Sequence, residues 1–178
     1  LVATARGGNV IGGGDWAEDR LIPDLVRSVI AHAPLVVRSP HATRPWQHVL
    51  DCLSGYLLLG RRLLAGDTAC ADAWNFGPDG HGNRTVELVL QDLARTWPQL
   101  RWQVASRPQP HEAGFLQLDS AKAKMQLGWR PVWSIETALH HTADWYHRLL
   151  ASGEVSSADE LDAYVADAAK AGLDWATA

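Results

Sequence analysis

The side chains best suited to chemistry in this chain lie around a glycine triplet. Residues 9–20 surround Gly12, Gly13 and Gly14 with polar and charged groups, and Arg44 opens a second block, Arg-Pro-Trp-Gln-His-Val. A planar guanidinium binds a diphosphate through paired hydrogen bonds that a lysine cannot copy. Adjacent glycines cost backbone entropy and bury no side chain, so a compact protein seldom keeps them without a reason. The two blocks together predict a ligand site.

The glycine loop matches no known phosphate-binding motif. The dinucleotide fingerprint G-x-G-x-x-G is broken because position 17 is alanine, and G-x-x-x-x-G-K-[ST] occurs nowhere in the chain. The loop does follow an apolar, strand-like stretch and precede an amphipathic helix, which is where α/β folds place ligand sites. Glycine content alone favours a structural turn. The neighbouring Asn9, Arg20 and Arg44 shift the prediction toward a ligand loop.

Size and composition fit one globular domain. The chain has 178 residues, of which 47% are hydrophobic and 20% charged, and its formal net charge is -4. This balance argues against nucleic acid and anionic membranes as partners, and no apolar run approaches the ~20 residues of a membrane span. Cys52 and Cys70 form neither a metal motif nor a disulfide framework, so we expect a cytoplasmic protein.

The start of the chain is unusual for a natural reading frame. The first residue is Leu1, and the single methionine is Met125. The chain also opens directly in an apolar stretch with no residues leading into it. We therefore expect it to be the C-terminal part of a longer protein, or a processed or partial form of one.

Apolar spacing predicts helices that alternate with short strands. Helices are predicted over 21–32, 49–64, 86–97, 120–128, a long segment from 134, and 156–171. Strands are predicted over 1–9, 35–37, 73–77, 102–104 and 116–118. The proline-bearing segments predict loops over 38–46 and 106–114. The alternation indicates an α/β fold with too few strands for a full doubly wound sheet.

Some details of the helices are specific enough to check. Thr85, Ser120 and Ser134 are predicted to cap helix starts, and Gly128 is predicted to end a short helix. The helix over 49–64 carries leucines on one side at positions 50, 53, 57 and 64. The last helix is rich in alanine and acidic residues, which is typical of an appendage or an interface element.

Several sequence strings occur in the order in which a known family carries them. They are Asn9-Val-Ile-Gly-Gly-Gly-Asp-Trp, Asp19-Arg-Leu-Ile-Pro-Asp, Arg44-Pro-Trp-Gln-His-Val-Leu, Ser54-Gly-Tyr-Leu-Leu-Leu, Trp74-Asn-Phe-Gly-Pro, Pro110-His-Glu-Ala and Leu127-Gly-Trp-x-Pro. On these residues, the chain from residue 1 to about 150 resembles the CDP-glucose 4,6-dehydratases. They are extended short-chain dehydrogenases/reductases of the NAD-dependent epimerase/dehydratase family. Gly7, Asp51 and Cys52 depart mildly from the family pattern.

The resemblance implies a fold and a division of the chain. We expect the C-terminal part of an extended short-chain dehydrogenase/reductase, in which the end of a Rossmann-type parallel sheet joins a small α/β substrate-binding domain. Residues 1–20 would close the NAD-binding domain and carry the glycine loop. Residues 21–150 would mainly form the substrate-binding domain, and 151–178 a C-terminal helical extension. A homodimer is expected of the full-length protein.

The resemblance also implies a reaction, the NAD-dependent conversion of CDP-glucose to CDP-4-keto-6-deoxyglucose and water. The family's dinucleotide loop and its Tyr-x-x-x-Lys pair lie upstream of the segment that matches here. Tyr56, Tyr146 and Tyr164 have no lysine four residues later. Hydride chemistry needs a tyrosine whose pKa a nearby lysine lowers. We therefore expect no catalytic residue in this chain, which alone would be inactive, and NAD bound mostly by the N-terminal half.

Six residues are assigned to the nucleotide-sugar by the resemblance: Asn9, Arg20, Arg44, Asn75, Arg107 and His111. Each has a structural alternative, such as a turn contact for an asparagine or a surface ion pair for an arginine. Asp15 and Trp16 are expected to order the glycine loop, and Trp46 to pack beneath the site. No metal site is predicted, because the histidines at 140, 141 and 147 lack an H-E-x-x-H pattern.

Two other functions stay open on the sequence. Another nucleotide-sugar dehydratase, or an epimerase, would keep the fold and change the chemistry. A non-catalytic module that holds a nucleotide-sugar would explain why the Tyr–Lys pair is absent from the chain.

Overall fold

Strands and helices alternate through residues 1–106 and 113–177, the part of the chain described by this computed structural model. The strands are β1 Thr4–Gly7, β2 Asn9–Ile11, β3 Leu35–Val37, β4 Thr43–His48, β5 Ala73–Phe76, β6 Asn83–Thr85 and β7 Trp102–Val104. The α-helices are α1 Leu21–Ile30, α2 Val49–Leu64, α3 Val86–Thr96, α4 Ile135–Ser152 and α5 Ser157–Lys170. The predicted α/β class is confirmed, and no helix in the described part is long and apolar enough to cross a membrane.

The described strands pair into three small sheets. β1 pairs with β5 and β3 with β7, both in parallel, whereas β4 lies between β2, parallel, and β6, antiparallel. In the β2–β4 register Asn9 stands opposite Trp46, and Ile11 opposite His48. Because side chains alternate along a strand, Arg44 and Trp46 share one face of β4. This register brings the two sequence blocks side by side.

Two apolar clusters hold these elements together. The larger one joins α1, α3 and α4 to the central strands through buried side chains that include Leu25, Val89, Leu93 and Tyr146. The smaller one packs Trp74 and Phe76 of β5 against Leu59 and Trp129. Burying a large apolar side chain stabilises a fold by roughly 1.5–3 kcal/mol. The larger cluster therefore anchors the helices that surround β2 and β4.

Most of the predicted helix ends are confirmed. The hydroxyl of Thr85 accepts a hydrogen bond from the backbone N–H of Leu88, and that of Ser134 accepts one from Thr137. Gly128 ends its helical segment with φ of 67°, in the left-handed region. The prediction for Ser120 is wrong in detail, because its hydroxyl accepts from Gly77 rather than capping the next turn. That turn is a π-helix over Ala123–Leu127.

The segment over 38–46 is only partly a loop. Its second half belongs to β4, which forms although Pro45 lacks a backbone N–H. Pairing with β2 on one edge and β6 on the other overrides the weak local propensity. Conversely, the strand predicted over 116–118 is absent, and an isolated bridge between Thr43 and Phe115 lies nearby.

The predicted apolar side of α2 faces outward. Leu57 is 74% exposed and Leu64 is 92% exposed. The helix buries the opposite side, where Gly55 lets the backbone approach Phe76 so closely that a Cβ would lie 2.7 Å from Cε1 of the ring. The first strand was expected to be buried, but β1 is mostly exposed, and its ladder runs along β5 only. The apolar spacing thus showed which side of α2 is apolar, but it did not show that this side faces outward.

Candidate functional site

A cavity of about 340 Å³ runs along β2 to the glycine loop at the carboxyl end of that strand. All of β2, Gly12 and Asp15 of the loop, the start of α1 and strand β3 form most of its walls. Asn9, Arg20 and Arg44 all line it, so the structure brings together three of the six residues that were predicted to bind ligand. Its position matches the general rule that α/β sheets bind ligands at the carboxyl ends of their strands.

Arg44 is fixed in the wall of this cavity. Its side chain is buried, and its Nη1 donates hydrogen bonds to the carbonyl oxygens of Thr43, at 2.9 Å, and Ala113, at 2.7 Å. A guanidinium remains charged at every physiological pH. The two carbonyl oxygens orient the guanidinium, and a guanidinium can bind an anion such as a diphosphate through paired hydrogen bonds.

Arg20 reaches the cavity from the far side of the glycine loop. Its Nη1 lies 3.1 Å from Oδ2 of Asp15, and the second oxygen of Asp15 accepts a hydrogen bond from the N–H of Ala17. The carbonyl oxygen of Asp15 accepts a hydrogen bond from Tyr146, at 2.7 Å. Trp16 packs its ring edge-on against Tyr146. Asp15 and Trp16 therefore order the loop, as the sequence predicted.

Other charged groups line the cavity that sequence reasoning did not single out. Arg38 lies at its β3 end, where it pairs with Asp19 at 3.3 Å. Asp24 lies at the α1 end, where burial raises the pKa of its carboxyl and the adjacent Arg27 opposes that shift. The sequence did contain a signal for Arg38, because this residue directly follows a predicted strand. Ligands of α/β sheets bind at the carboxyl ends of the strands. An incoming anion must therefore compete with carboxylates for the arginines.

The glycine triplet is explained by packing. A Cβ on Gly13 would lie 2.5 Å from Cδ1 of Trp145 and closer still to Cγ, and a Cβ on Gly12 would lie 2.7 Å from Cγ1 of Val49. Gly14 has φ of 80° and also lies over the Trp145 ring. The loop also lacks the G-x-G-x-x-G spacing that cradles a dinucleotide pyrophosphate. The described residues around this loop do not fit NAD, and they offer no cradle for it.

Of the other three predicted ligand residues, the structure describes only Asn75. Asn75 does not line the cavity: its Oδ1 accepts from Arg6 at 3.3 Å, and its Nδ2 donates to the carbonyl oxygen of Asp119 at 3.0 Å. These bonds tie β5 to Arg6 of β1 and to Asp119, so they are long-range contacts and not the turn contact considered as the alternative. Arg107 and His111 lie outside the described residues. The ligand roles of these three residues stay predictions.

The second cavity and the histidines are the other candidate ligand sites in the described part of the chain. A second cavity, of about 420 Å³, lies between α2 and α5 and is lined mostly by apolar side chains, five of which are leucines, together with Arg61 and Ser54. Its apolar lining does not suit a diphosphate. In the described part of the chain, no three His, Cys, Asp or Glu side chains are arranged to hold a metal ion. His141 stacks on Trp133 at a ring-centroid distance of 4.0 Å, and His147 lies edge-on to Trp97.

No family model matches the chain. The CDP-glucose 4,6-dehydratase of Salmonella typhimurium is 41% identical over 168 residues, which cover 92% of this chain and 46% of that protein. The chain thus spans about half the length of this relative.

Two solved structures have the same fold. The UDP-glucuronic acid 4-epimerase of Bacillus cereus, in complex with UDP-glucuronic acid and NAD, has a TM-score of 0.68 at 18% identity and covers 82% of this chain and 45% of its own. The dTDP-glucose 4,6-dehydratase of Bacillus anthracis, in complex with NAD, has a TM-score of 0.66 at 19% identity, with coverages of 83% and 45%. By sequence and fold, the chain belongs to the epimerase/dehydratase family of extended short-chain dehydrogenases/reductases and corresponds to a C-terminal portion of such a protein.

Proposed function

We propose that this chain carries the substrate-binding part of a CDP-glucose 4,6-dehydratase and that its cavity binds the diphosphate of the nucleotide-sugar. The observation that carries the proposal is the convergence of Asn9, Arg20 and Arg44 on one cavity. Guanidinium and amide groups donate hydrogen bonds, and a diphosphate offers mainly acceptors. The 41% identity to the Salmonella dehydratase supports CDP-glucose as the ligand.

The complete protein, in this proposal, converts CDP-glucose to CDP-4-keto-6-deoxyglucose and water with NAD. The N-terminal half would hold most of the NAD and supply the Tyr-x-x-x-Lys pair. The present chain would bind and orient the nucleotide-sugar without transferring protons, because none of its tyrosines has a lysine four residues later. A homodimer in the cytoplasm, without nucleic-acid or membrane partners, belongs to the same proposal.

A second candidate keeps the fold and changes the nucleotide. It is favoured by the two solved structures of the same fold, which by their names act on UDP- and dTDP-sugars. A non-catalytic nucleotide-sugar module is the third candidate, and it rests on the absence of the Tyr–Lys pair from the chain. All three place a nucleotide diphosphate in the cavity, and they differ in the base and in turnover.

Binding measurements separate the nucleotides. Isothermal titration calorimetry of the 178-residue chain with CDP, UDP, dTDP and GDP should give the lowest dissociation constant for CDP. Equal affinities, or tighter binding of dTDP or UDP, would favour the second candidate. Failure of all four to bind would contradict the assignment of the cavity.

Turnover needs a second measurement. The chain should be fused behind the N-terminal half of the Salmonella CDP-glucose 4,6-dehydratase, and the keto-sugar product followed by its absorbance. Product formation from CDP-glucose supports the dehydratase. A folded fusion that binds CDP-glucose and forms no product would favour the non-catalytic module.

A further inference from the structure

Helix α5 contacts two of the residues that pack against the glycine loop beside the cavity. It belongs to the C-terminal segment beyond residue 150, for which the family resemblance implies no role. Three of its polar side chains contact residues of which two touch the glycine loop and the third, Asp51, lies two positions after Val49, which also touches it. These residues are Trp145 on α4, His48 at the end of β4, and Asp51 in the first turn of α2.

The first contact fixes the indole beneath the glycine loop. The Nε1 of Trp145 donates a hydrogen bond to the hydroxyl of Ser157, at 2.9 Å. Ser157 is the first residue of α5. The same indole leaves no room for a side chain at Gly13. The indole therefore packs directly against the loop backbone, and it is held both by the apolar cluster around it and by the bond to Ser157.

The second contact reaches the loop through a buried histidine. His48 is fully buried, and its Nδ1 accepts a hydrogen bond from the N–H of Leu50. Nε2 lies 3.4 Å from Oε1 of Glu160, a polar contact that lacks hydrogen-bond geometry, and within the described residues neither atom has a hydrogen-bond partner. A Cβ on Gly12 would lie 3.5 Å from the same Nε2. Glu160 thus holds the ring that packs against Gly12.

The third contact docks α5 onto the start of α2. The hydroxyl of Tyr164 donates to Oδ1 of Asp51, at 2.8 Å, and the same oxygen accepts from the N–H of Val132. Further along the helix, Asp167 accepts from Nε1 of Trp133 at 3.0 Å. Tyr164 and Asp167 do not touch the loop. They hold α5 in place so that Ser157 and Glu160 can act on their partners.

We propose that Ser157 and Glu160 are positioning residues: through Trp145 and His48 they hold the glycine loop in the conformation that keeps Asp15 and Arg20 at the cavity. The link to ligand binding rests on the proposed function, whereas the link from α5 to the loop does not. A network of contacts around a site commonly sets the geometry of the groups that touch the ligand. Both residues act through others and touch no ligand themselves.

The test uses Ser157→Ala and Glu160→Gln in the full 178-residue chain. Asp159→Asn is the matched control, because Asp159 lies on the same helix, is exposed, and pairs only with Arg148 among the described residues. Ser157→Thr keeps the hydroxyl acceptor and should restore wild-type behaviour. The hydrogen-exchange rates of the backbone amides over 12–16 are compared with the rates of the amides in α3. CDP affinity and melting temperature are measured in parallel.

The two variants should speed exchange over 12–16 by about 3- to 10-fold and weaken CDP binding by a similar factor, since each loses one partly buried polar contact. Asp159→Asn and Ser157→Thr should do neither. If exchange over 12–16 is unchanged while α5 or the whole chain loosens, α5 is only a stabilising element and the inference is wrong. If the wild-type chain binds no CDP, the proposed function fails, and the exchange result still decides the positioning role.

Discussion

The indole of Trp145 lies directly beneath Gly13, so that a Cβ at that position would come within 2.5 Å of Cδ1 of the ring. This contact joins the C-terminal helices to the loop beside the cavity across more than a hundred residues of sequence. It gives the glycine triplet a physical reason that does not involve a phosphate. Packing between backbone and ring excludes any side chain at this point.

The first prediction follows from this contact. Gly13→Ala should lower the free energy of unfolding by about 1–3 kcal/mol, the typical cost of overpacking. Gly60→Ala is the matched control, because Gly60 lies inside α2 and a Cβ there would meet nothing within 4 Å. That control should raise stability by up to about 1 kcal/mol, since alanine favours helix. Urea denaturation measures both, and equal effects of the two substitutions would contradict the packing account.

The second prediction concerns the buried guanidinium. Arg44→Lys keeps the charge but loses the planar fork, so CDP should bind about 10- to 100-fold more weakly, the equivalent of one lost charge-assisted hydrogen bond. Arg95→Lys is the control, because Arg95 is exposed and pairs with Asp92. Titration calorimetry gives both dissociation constants. Unchanged affinity in a folded Arg44→Lys variant would remove Arg44 from the site.

The third prediction concerns competition for Arg20. Asp15→Asn keeps the oxygen that accepts from Ala17 and removes the charge that pairs with the guanidinium. An exposed ion pair contributes up to about 1 kcal/mol, so CDP should bind about 2- to 5-fold more tightly in low salt. The gain should shrink in high salt, where the pair is screened. Weaker binding by the variant would show that Asp15 contacts the ligand itself.

The elements that the sequence predicted well are those whose conformation depends on residues nearby in the chain. The caps at Thr85 and Ser134 and the left-handed Gly128 depend on residues within one helical turn. Strand β4 was missed because two edges that are distant in sequence create it. The outward face of α2 was not apparent either, since periodicity shows that a face is apolar but not what covers it.

The candidate site also contains residues that short stretches of sequence identify and long-range contacts that only the fold reveals. Asn9, Arg20 and Arg44 could be named because their strings are short and contiguous, and they share the cavity. The bond from Tyr146 to the carbonyl of Asp15 spans 131 residues, and that from Tyr164 to Asp51 spans 113. Such contacts leave no local pattern in a single sequence. The support of the loop by α5 therefore emerged only from the structure.

The fourth prediction uses the buried carboxyl of Asp51. Burial raises its pKa above the model-peptide value of 3.8, although Val132 and Tyr164 donate to it. The folded state therefore binds this proton more tightly than the unfolded chain, and the carboxyl reduces stability as pH rises from about 3.8 through the folded pKa. Asp51→Asn keeps an oxygen for both donors and removes the titration.

The stability of Asp51→Asn relative to wild type should accordingly improve as pH rises from about 4 to about 7. Urea denaturation at a series of pH values measures this difference. Asp144→Asn, on the exposed side of α4 beside Arg148, serves as the control and should show no such trend. A difference that falls with rising pH would mean that ionised Asp51 stabilises the fold.

The central claim is that a nucleotide diphosphate occupies the cavity beside the glycine loop, and the most direct measurement is a nitrogen–proton correlation spectrum of the chain titrated with CDP. The account predicts saturable shifts at the backbone amides of Asn9, Gly12 and Arg20 and at Nε of Arg44, with the leucines of the α2–α5 cavity unchanged. Saturable shifts confined to that apolar cavity, or none at these four residues, would contradict it.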